Sequence, residues 1–568
     1  MKKQLYLYLP YIWYSLALFP LLSLGIFFEK YAINVPHWDD HALKAFVLFW
    51  EESNSIWQNL EKLFSQHNEH RIVFTRLITF FIYIFKGTID YKSMMIVGNL
   101  TLLGTYFVWY KSTMGLSEIR PILLAVGSLL LFTFGLYENF YWGMASLQNF
   151  GVIFFAFLSF FLFSFQKVSP STKKPTQDIY FILALFFAFS AVFTSGNGLI
   201  VPVIGLLILL FQQRFRHLAI AAGIAFVIFF FYWLTFESRT DLNQSIPDKS
   251  LRDILYRTLL LSGSLTDTLE IFPQIRNGIS ILVGAIALLI AVFFCLRLPY
   301  QALLQKYKPI PPAYLLLAAM ALFVMGTILG TVLARFAYDS SILFTSKYKI
   351  YSNLLVLISG TMLLHLLPIQ FREKTAFTLV ALAVLTYVNS YIADKRFHLY
   401  TYQDRMVELG NLSRDKNATT ISPLLQRIYK RPNLWINQRL HFGNAPVYSQ
   451  WIDSVQINPE TVQYFEFGDS LYDTPEGQFD AAFLVLRSDS ILRLFPMYRA
   501  VHPNPVKRIF SHWSSSLSAE VSRVNFPSGI YEAYVLLKDG HEEKLLNTQK
   551  TIRIMGIRKP EEYATKNW

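Results

Sequence analysis

Long apolar runs separated by short polar gaps occupy most of the chain up to residue 392. Each run has about 16 to 24 residues, and a helix needs ~20 residues to cross a hydrocarbon core ~30 Å thick. The pattern predicts a polytopic α-helical membrane protein with about 11 transmembrane helices. The predicted spans lie near 10–28, 93–110, 121–137, 145–165, 179–194, 197–212, 217–236, 276–296, 313–333, 350–368 and 375–392.

The composition excludes a soluble protein and does not indicate a nucleic-acid partner. Hydrophobic residues make up 53% of the 568 residues and charged residues 16%, which is too apolar for a soluble chain. The net charge is +13, but residues from 393 onward hold 22 Lys/Arg against 19 Asp/Glu. The excess therefore lies in short gaps between apolar runs, where membrane topology explains it. The single cysteine, Cys295, excludes a disulfide framework and a cysteine metal site.

The basic residues predict the orientation of the chain. They occupy alternate gaps, which are cytoplasmic by the positive-inside rule, as is the N-terminus. The loop 29–92 and everything after 393 then face outward. This parity requires that residues 72–86, an apolar run with Arg76 inside it, lie along the membrane surface. We expect a multi-pass protein of the inner cell membrane, with membrane lipids as its surroundings.

The character of the sequence changes after Asp394. The pattern divides the chain into a transmembrane domain, 1–392, and an extracytoplasmic C-terminal domain, 393–568. Residues 398–430 have helical spacing with a break at Asn417, and the later segments are rich in strand formers. We expect an α+β domain that is in part a β-sandwich. Its clearest strands are Ala482–Leu486, Ile530–Leu537 and Lys550–Ile554, with a hairpin turn at Asp539-Gly540.

Two adjacent carboxylates open the first outer loop. Asp39 and Asp40 follow Trp38, a residue typical of the membrane interface. Carboxylates at a membrane edge are costly to keep there and usually have a function, such as taking a proton or binding a metal. Alternatively, Asp39 caps the helix that begins at Ala42 while Asp40 is solvated. A divalent metal, Mg or Mn, is a further possibility, with Asp39, Asp40 and His67 as ligands.

A second polar cluster ends the same loop region. Glu69, His70 and Arg71 are candidates to bind hydroxyl groups of a substrate or to hold a phosphate. His67 and His70 are three residues apart and could share a helix face. Alternatively, the cluster is a polar cap for the helix that follows.

The second outer loop places a carboxylate and an amide beside aromatic residues. Glu138 is a second catalytic candidate, and Asn139 and Trp142 are substrate-binding candidates, because aromatic rings stack on sugars. Alternatively, these aromatic residues form an interfacial belt. Asn149 is buried in the next run and is expected to bond across the bundle. The turn 195–198 could bring backbone close to a ligand or be a plain connector.

Three cations lie in the late outer loops, where the topology bias disfavours them. Arg335, Lys347 and Lys349 are therefore candidates for phosphate contacts. Alternatively, their side chains extend to lipid headgroups.

The order of these loops resembles that of the C-type glycosyltransferase superfamily, whose members are integral-membrane enzymes that use polyprenyl-linked sugar donors. Asp39-Asp40 occupies the place of that superfamily's first acidic motif, residues 42–86 that of its surface helices, and Glu138 that of its second acidic position. Ala334-Arg335 and Ser346-Lys347-Tyr348 resemble the Gly-Arg and Ser-Arg-Tyr stretches of uncharacterised bacterial members, with Ala in place of Gly and Lys in place of Arg.

The resemblance implies an inverting hexosyl- or pentosyltransferase. It would move a sugar from a polyprenyl phosphate to a cell-envelope glycan, lipid or protein on the outer face. Asp39 or Asp40 would be the base, Glu138 and His70 would position substrates, and Arg71, Arg335 and Lys347 would receive the phosphate. Two alternatives stay open: a transporter or flippase of lipid-linked sugars, and an envelope assembly scaffold.

Overall fold

The computed structural model describes residues 2–165, 175–237, 250–267, 273–304, 310–412, 427–430, 442–447, 455–458, 462–467, 481–489, 491–501, 513–522, 526–539 and 542–556. Helices dominate the described chain up to Leu412, and strands dominate it afterwards.

The helices alternate with short turns in chain order. They are α1 Lys2–Tyr31, α2 His41–Glu52, α3 Ile56–Phe64, α4 Val73–Lys86, α5 Tyr91–Lys111, α6 Arg120–Leu131, α7 Tyr137–Tyr141, α8 Gly143–Ala145, α9 Gly151–Ser164, α10 Pro175–Val192, α11 Ile200–Phe211, α12 Phe215–Leu234, α13 Leu251–Ser262, α14 Pro273–Leu304, α15 Pro312–Ala334, α16 Ser346–Leu366 and α17 Ile369–Leu412. A π-helical turn, Ser146–Phe150, joins α8 to α9.

Within the described residues, seven helices are long and apolar enough to cross a membrane. They are Pro10–Tyr31, Gly143–Ser164, Phe215–Leu234, Gln274–Tyr300, Pro312–Ala334, Ser346–Leu366 and Ile369–Val407. The bent pair Arg120–Leu131 and Phe134–Tyr141, at an angle of 45°, would make an eighth. Helices α5, α10 and α11 also occupy predicted spans, but α5 does not meet this measure and the other two count as shorter apolar helices. The protein is thus mostly helical and suited to a membrane, while eleven spans remain a prediction.

Helix α4 is too short to cross a bilayer directly. Its 14 residues extend about 21 Å at ~1.5 Å per residue, against a core of ~30 Å. Phe81, Ile84 and Phe85 are exposed, whereas Arg76 and Thr79 are buried. Such a two-sided helix fits a position along a surface, as the sequence predicts.

Small residues allow the long helices to pack closely. A Cβ at Gly98 of α5 would overlap Ser146, and one at Gly127 of α6 would overlap Trp109. The Ser159 hydroxyl donates to the Ala184 carbonyl oxygen over 2.9 Å, which links α9 to α10. Close approach at small residues and hydroxyl bonds between helices are the usual means of helix association in membranes.

Residue contacts divide the chain into two compact units. The first comprises Met1–Lys30, Phe49–Lys86 and Asp90–Asp394, and the second comprises Tyr31–Leu48, Gly87–Ile89 and Lys395–Trp568. The second unit thus includes two short segments that precede the predicted boundary at 393. Helix α17 continues to Leu412 and contributes residues to both units.

The described strands of the second unit form one antiparallel sheet. Strands β1 Gln66–His67 and β2 His70–Arg71 form a separate hairpin in the first unit. The strands of the sheet in the second unit are β3 Val455–Asn458, β4 Val462–Phe467, β5 Ala481–Arg487, β6 Leu492–Val501, β7 Trp513–Ser522, β8 Gly529–Asp539 and β9 Glu542–Ile554. They lie in the order β3-β4-β7-β6-β5-β8-β9. Val535 and Leu537 face one core, and Tyr534 and Leu536 face another that also contains Met406 of α17. Alternate side chains point to opposite faces, so β8 contributes to a core on each of its faces.

The predicted strands all lie within this sheet, and β8 pairs with β9 up to Asp539 and Glu542, so the chain reverses where the sequence predicts a hairpin. Gly540 itself and Asn417 lie outside the described residues. A sandwich needs two packed sheets, whereas the described strands of this unit form one sheet with helical residues on one face.

Candidate functional site

The turn that carries the two adjacent aspartates belongs to the second unit. Trp38–Asp40 forms a 3-10 turn in which Asp40 is fully buried and its Oδ2 accepts a hydrogen bond from the His37 backbone N–H at 3.0 Å. Asp39 is half-buried, and its carboxylate makes no hydrogen bond to the described residues. The alternative interpretation is therefore wrong for Asp40, which is buried rather than solvated and holds the start of the 3-10 turn.

Trp38 has an unusual backbone conformation in this turn. Its φ is 41°, in the left-handed region that bulky residues rarely adopt, and its ring stacks on His37 at 4.8 Å. The side chain is 63% exposed, as suits a residue at a membrane interface.

The second polar cluster forms a small hairpin in the first unit. Strands β1, Gln66–His67, and β2, His70–Arg71, pair so that His67 lies opposite His70. The expectation of a shared helix face is therefore wrong. Asn68 makes the tight turn with a φ of 50°, which asparagine tolerates better than most residues.

His70 holds this hairpin against the turn between α10 and α11. Its Nδ1 accepts a hydrogen bond from the Gly196 backbone N–H at 3.2 Å, so neutral His70 carries its proton on Nε2. A Cβ at Gly196 would stand 2.7 Å from this Nδ1, so any larger residue would displace the His70 ring from its hydrogen bond. Glu69 is exposed at the tip of the hairpin.

Arg71 is directed to a helix end rather than into an open site. Its guanidinium donates to the carbonyl oxygens of Phe64 at 2.6 Å and Tyr232 at 2.9 Å. Arg76 donates to the carbonyl oxygens of Lys62, Leu63 and Ser65. The last carbonyls of a helix lack partners within it, so the two arginines together cap the C-terminus of α3. Burial and then the charge of Arg71 lower the pKa of Arg76 to about 10.

Glu138 binds the beginning of α16. Its Oε2 accepts a hydrogen bond from the Lys347 backbone N–H at 2.9 Å, and its own N–H donates to the Ser346 Oγ at 3.1 Å. A carboxylate is favourable at this position because the first N–H groups of a helix carry partial positive charge. Glu138 therefore fixes the position of Lys347.

Asn139 and Trp142 support the same lysine. Asn139 is fully buried, and its amide donates to the Lys347 carbonyl oxygen at 3.1 Å and accepts from Asn149 at 2.8 Å. Asn149 is half-buried rather than buried, and it bonds to Asn139 on the adjoining helix α7, ten residues earlier in the chain. Trp142 is 6% exposed and lies 5.8 Å from the Lys347 ammonium. These contacts favour positioning of Lys347 over stacking on a ligand.

Lys347 and Arg335 form the positive part of the site. The Lys347 ammonium lies 5.3 Å from the Tyr348 ring, and Arg335 Nε donates to the Tyr348 hydroxyl at 3.0 Å. Within the described residues neither cation forms an ion pair. Burial lowers the pKa of Arg335, but Tyr348, Glu69 and Tyr338 outweigh it, so the pKa is raised and the charge is permanent.

Lys349 has a different environment from Lys347. Its ammonium lies 3.2 Å from Asp267 Oδ2, and its side chain is 7% exposed. Arg276 shares the same carboxylate at 3.3 Å. The predicted phosphate contact at Lys349 would have to compete with this buried ion pair.

Three further polar residues adjoin the site. Asn197 Nδ2 donates to the Tyr351 hydroxyl at 3.2 Å and to Thr327 at 3.3 Å. The sequence indicated only the turn around Asn197. The spacing from Lys347 and Tyr348 to Tyr351, four and three residues, places them on one helix face and could have indicated Tyr351.

The described residues contain no cluster of three His, Cys, Asp or Glu side chains that could hold a metal ion. A metal at Asp39, Asp40 and His67 stays a prediction.

At one end of the helices, the first unit gathers Lys347, Tyr348, Arg335, Glu69 and His70. The two cations are half-buried and lie beside hydroxyl, amide and imidazole groups. Such an arrangement can bind a phosphate and hydrogen-bond a polyhydroxy compound. No family model, curated protein or solved structure matches the chain.

Proposed function

We propose that the protein is a membrane glycosyltransferase that moves one sugar from a polyprenyl phosphate to a cell-envelope acceptor. The chain would lie in an inner cell membrane with eleven spans and a cytoplasmic N-terminus, and the C-terminal unit would face outward. The end of the helices that carries Lys347 would then be the outer end. This proposal rests on the resemblance to C-type glycosyltransferases together with the contacts of the site.

The observation that carries the proposal is the pair of cations, Lys347 and Arg335. Both are half-buried, both contact aromatic rings, and neither forms an ion pair within the described residues. Burying a charge without a partner is unfavourable, so an anionic group is the natural counterpart. A phosphate that gains negative charge as it leaves would be stabilised most in the transition state.

The carboxylates supply the other half of the reaction. Asp39, which makes no hydrogen bond to the described residues, would take the proton from an acceptor hydroxyl. The acceptor oxygen would bond to the anomeric carbon while the bond from that carbon to the phosphate oxygen breaks. The phosphate leaves on the opposite face, which inverts the anomeric centre. Asp40 would hold the turn, Glu138 would position Lys347, and Glu69 and His70 would bind sugar hydroxyls.

The test uses purified protein in nanodiscs with a panel of radiolabelled polyprenyl-phosphate sugars and envelope acceptor. Asp39→Asn should lower the transfer rate by about 10²- to 10⁴-fold, as expected for loss of a general base. Asp40→Asn should lower thermal stability as well as rate. A chelator arm measures whether Mg or Mn takes part. Full transfer by a folded Asp39→Asn/Asp40→Asn protein would refute the mechanism.

One observation favours a second candidate, a transporter of lipid-linked sugars. Transporters often use broken helices around their substrate, and α6 and α7 form a bent pair at 45° followed by the π-helical turn Ser146–Phe150. In the same vesicles, movement of labelled lipid across the bilayer without transfer to any acceptor would favour the transporter.

A further inference from the structure

The turn between α11 and α12 holds Arg214 in a fixed position in the first unit. Gln213 adopts a left-handed φ of 56°, and the Arg214 backbone N–H donates to the Leu209 carbonyl oxygen at 3.0 Å. The side-chain amide of Gln212 donates to two carbonyl oxygens at the end of α9, both at 3.0 Å. Arg214 therefore belongs to a turn that is bonded to the ends of both α9 and α11.

The Arg214 side chain is buried without a partner. It is 9% exposed, and within the described residues its guanidinium makes no hydrogen bond and no ion pair. The guanidinium lies 6.0 Å from the centre of the Phe181 ring, which is the outer limit of a cation–π contact. Burial lowers the pKa of Arg214 to about 10, and the exposed Asp178 offsets this only in part, so the side chain keeps its charge at neutral pH. A buried, unpaired cation is unfavourable by itself, and an anion would stabilise it.

The surroundings of Arg214 differ from those of its neighbour Arg216. Arg216 is exposed, so water solvates its charge and it needs no partner. His217, three residues after Arg214, meets the Phe181 ring edge to face at 4.5 Å between ring centres. Arg214 and His217 therefore lie on the side of α12 that faces α10, where Asp178 is the one carboxylate that acts on Arg214.

The place of Arg214 in the chain favours an anion that is carried by a lipid. Arg214 immediately precedes Phe215–Leu234, a helix long and apolar enough to cross a membrane. Phe215 of α12 is 62% exposed and Ile179 of α10 is 53% exposed, so apolar side chains that lipid tails can contact lie within two residues of Arg214 and of Phe181. The sequence predicts that this gap is cytoplasmic, and the cytoplasmic leaflet carries anionic phospholipids. A soluble anion would gain nothing from the exposed apolar residues.

We propose that Arg214, with Phe181 and His217 beside it, binds the phosphate of an anionic phospholipid at the predicted cytoplasmic surface. The phosphate oxygens would accept hydrogen bonds from the planar guanidinium, a geometry in which arginine binds phosphate with two donors. Lys347 and Arg335 take no part in this site. It is independent of sugar transfer and would be the same in a transferase and in a transporter.

The experiment measures binding of phosphatidylglycerol to the delipidated full-length protein in detergent by native mass spectrometry. Arg214→Gln should raise the Kd of the tightest-bound lipid roughly 10- to 100-fold, as expected for the loss of hydrogen bonds to a charged group. Arg216→Gln is the matched control, because it makes the same change of net charge at an exposed position two residues away, and it should bind like the wild type. Arg214→Lys keeps the charge but loses the planar set of donors, so its Kd should lie between those of the wild type and Arg214→Gln.

Two further probes identify the ligand. Diacylglycerol has similar tails but no phosphate, and it should bind the wild type and Arg214→Gln equally. Inorganic phosphate at equal concentration should not displace phosphatidylglycerol from the wild type. Displacement would show a site for a soluble anion and would overturn the proposal.

The unfolding midpoint separates lipid binding from a role in the turn alone. Without lipid, Arg214→Gln should be at least as stable as the wild type, because the variant removes an unpaired buried charge. Phosphatidylglycerol should raise the midpoint of the wild type more than that of Arg214→Gln, since a ligand stabilises the folded state that binds it. An equal Kd in the wild type and Arg214→Gln, or an equal loss in Arg214→Gln and Arg216→Gln, would contradict a specific site. A lower lipid-free midpoint in Arg214→Gln with an unchanged rise on adding lipid would assign the arginine to the turn alone.

Discussion

Lys347 and Lys349 lie two residues apart on α16, yet their contacts give them different tasks. The Lys347 ammonium contacts only aromatic rings among the described residues, whereas Lys349 is paired with Asp267 at 3.2 Å. Lys347, which pairs with no carboxylate among the described residues, can bind an anionic ligand directly. Lys349 could bind one only by giving up its ion pair with Asp267. At the scale of single residues, a lysine belongs to the candidate site if no carboxylate neutralises its charge, as for Lys347.

This contrast predicts a separation of activity from stability. Lys347→Gln should lower the transfer rate by about 10²-fold, in the range seen when one group that stabilises transition-state charge is removed. Its unfolding midpoint should stay at the wild-type value. Lys349→Gln should instead lower the unfolding midpoint, because it removes one of the two cations that pair with the Asp267 carboxylate and leaves only Arg276. Radiolabel transfer and thermal unfolding in nanodiscs measure the two quantities.

Lys347→Arg is the control, because it keeps the charge and restores the residue found in the resembling bacterial stretch. It should retain most of the activity. Equal losses of activity in Lys347→Gln and Lys349→Gln, in proportion to their stability, would show that both lysines are structural.

Glu138 offers a second test at this scale, because positioning and proton transfer need different chemistry. A glutamine at this position can still accept the hydrogen bond from the Lys347 N–H, but it cannot take a proton. Glu138→Gln should therefore keep the transfer rate within about threefold of wild type. This is less than the ~1.36 kcal/mol of activation free energy that a tenfold change in rate represents. Glu138→Ala removes the acceptor and should lower the rate strongly. A large loss in Glu138→Gln with intact folding would return Glu138 to the role of base.

At the scale of elements, the hairpin 66–71 and helix α3 depend on the two arginines between them. Arg71 belongs to β2, Arg76 belongs to α4, and both donate to carbonyls at the end of α3. Helix α3 exposes Ile56 and Trp57, so its burial alone holds it weakly. The caps therefore decide whether this surface helix keeps its orientation.

Arg76→Met should release the end of α3. The variant removes the Arg76 donor from the Leu63 and Ser65 carbonyl oxygens, while the Lys62 carbonyl keeps its bond from Ser65. Each buried group left unsatisfied costs about 1–3 kcal/mol. Hydrogen exchange of 56–65 should become faster and the unfolding midpoint should fall. Arg372→Met is the matched control, because Arg372 donates to the Leu367 carbonyl oxygen at the end of α16 and pairs with Glu118, so its loss removes a helix-end contact away from α3. Exchange across 56–65 should stay at the wild-type rate in this variant. Unchanged exchange across α3 in Arg76→Met would contradict the capping role.

The sequence predicts the elements of the molecule better than it predicts the contacts of the site. Apolar runs require helices wherever they occur, and β8 and β9 follow from strand formers around a turn. The pattern could not show that Arg71 and Lys349 are engaged by other groups, since Phe64 and Asp267 acquire their positions only in the folded chain. Nor could it distinguish a helix face from a hairpin for His67 and His70, because both bring residues three apart together. The left-handed conformation of Asn68 decides it.

For the whole molecule, the number of spans fixes the side of every loop by parity. Eleven spans place the C-terminal unit opposite the N-terminus. The seven described helices that pass by length and apolarity, together with the one bent pair, make eight and would place them on the same side. Helix α5 is the informative case: if it crosses, Ser117 is cytoplasmic, and if it does not, Ser117 lies outside.

Cysteine labelling can test this parity cleanly because the chain has a single native cysteine. In a Cys295→Ser background, Ser117→Cys, Ser341→Cys and Asp489→Cys each place one thiol at an exposed position. With a membrane-impermeant maleimide on intact spheroplasts, Ser341→Cys and Asp489→Cys should be labelled, and Ser117→Cys only after permeabilisation. Protection of Asp489→Cys would put the C-terminal unit in the cytoplasm. It would also require an even number of crossings. The side of the membrane that carries the cation site would then follow from whether Ser341→Cys is labelled.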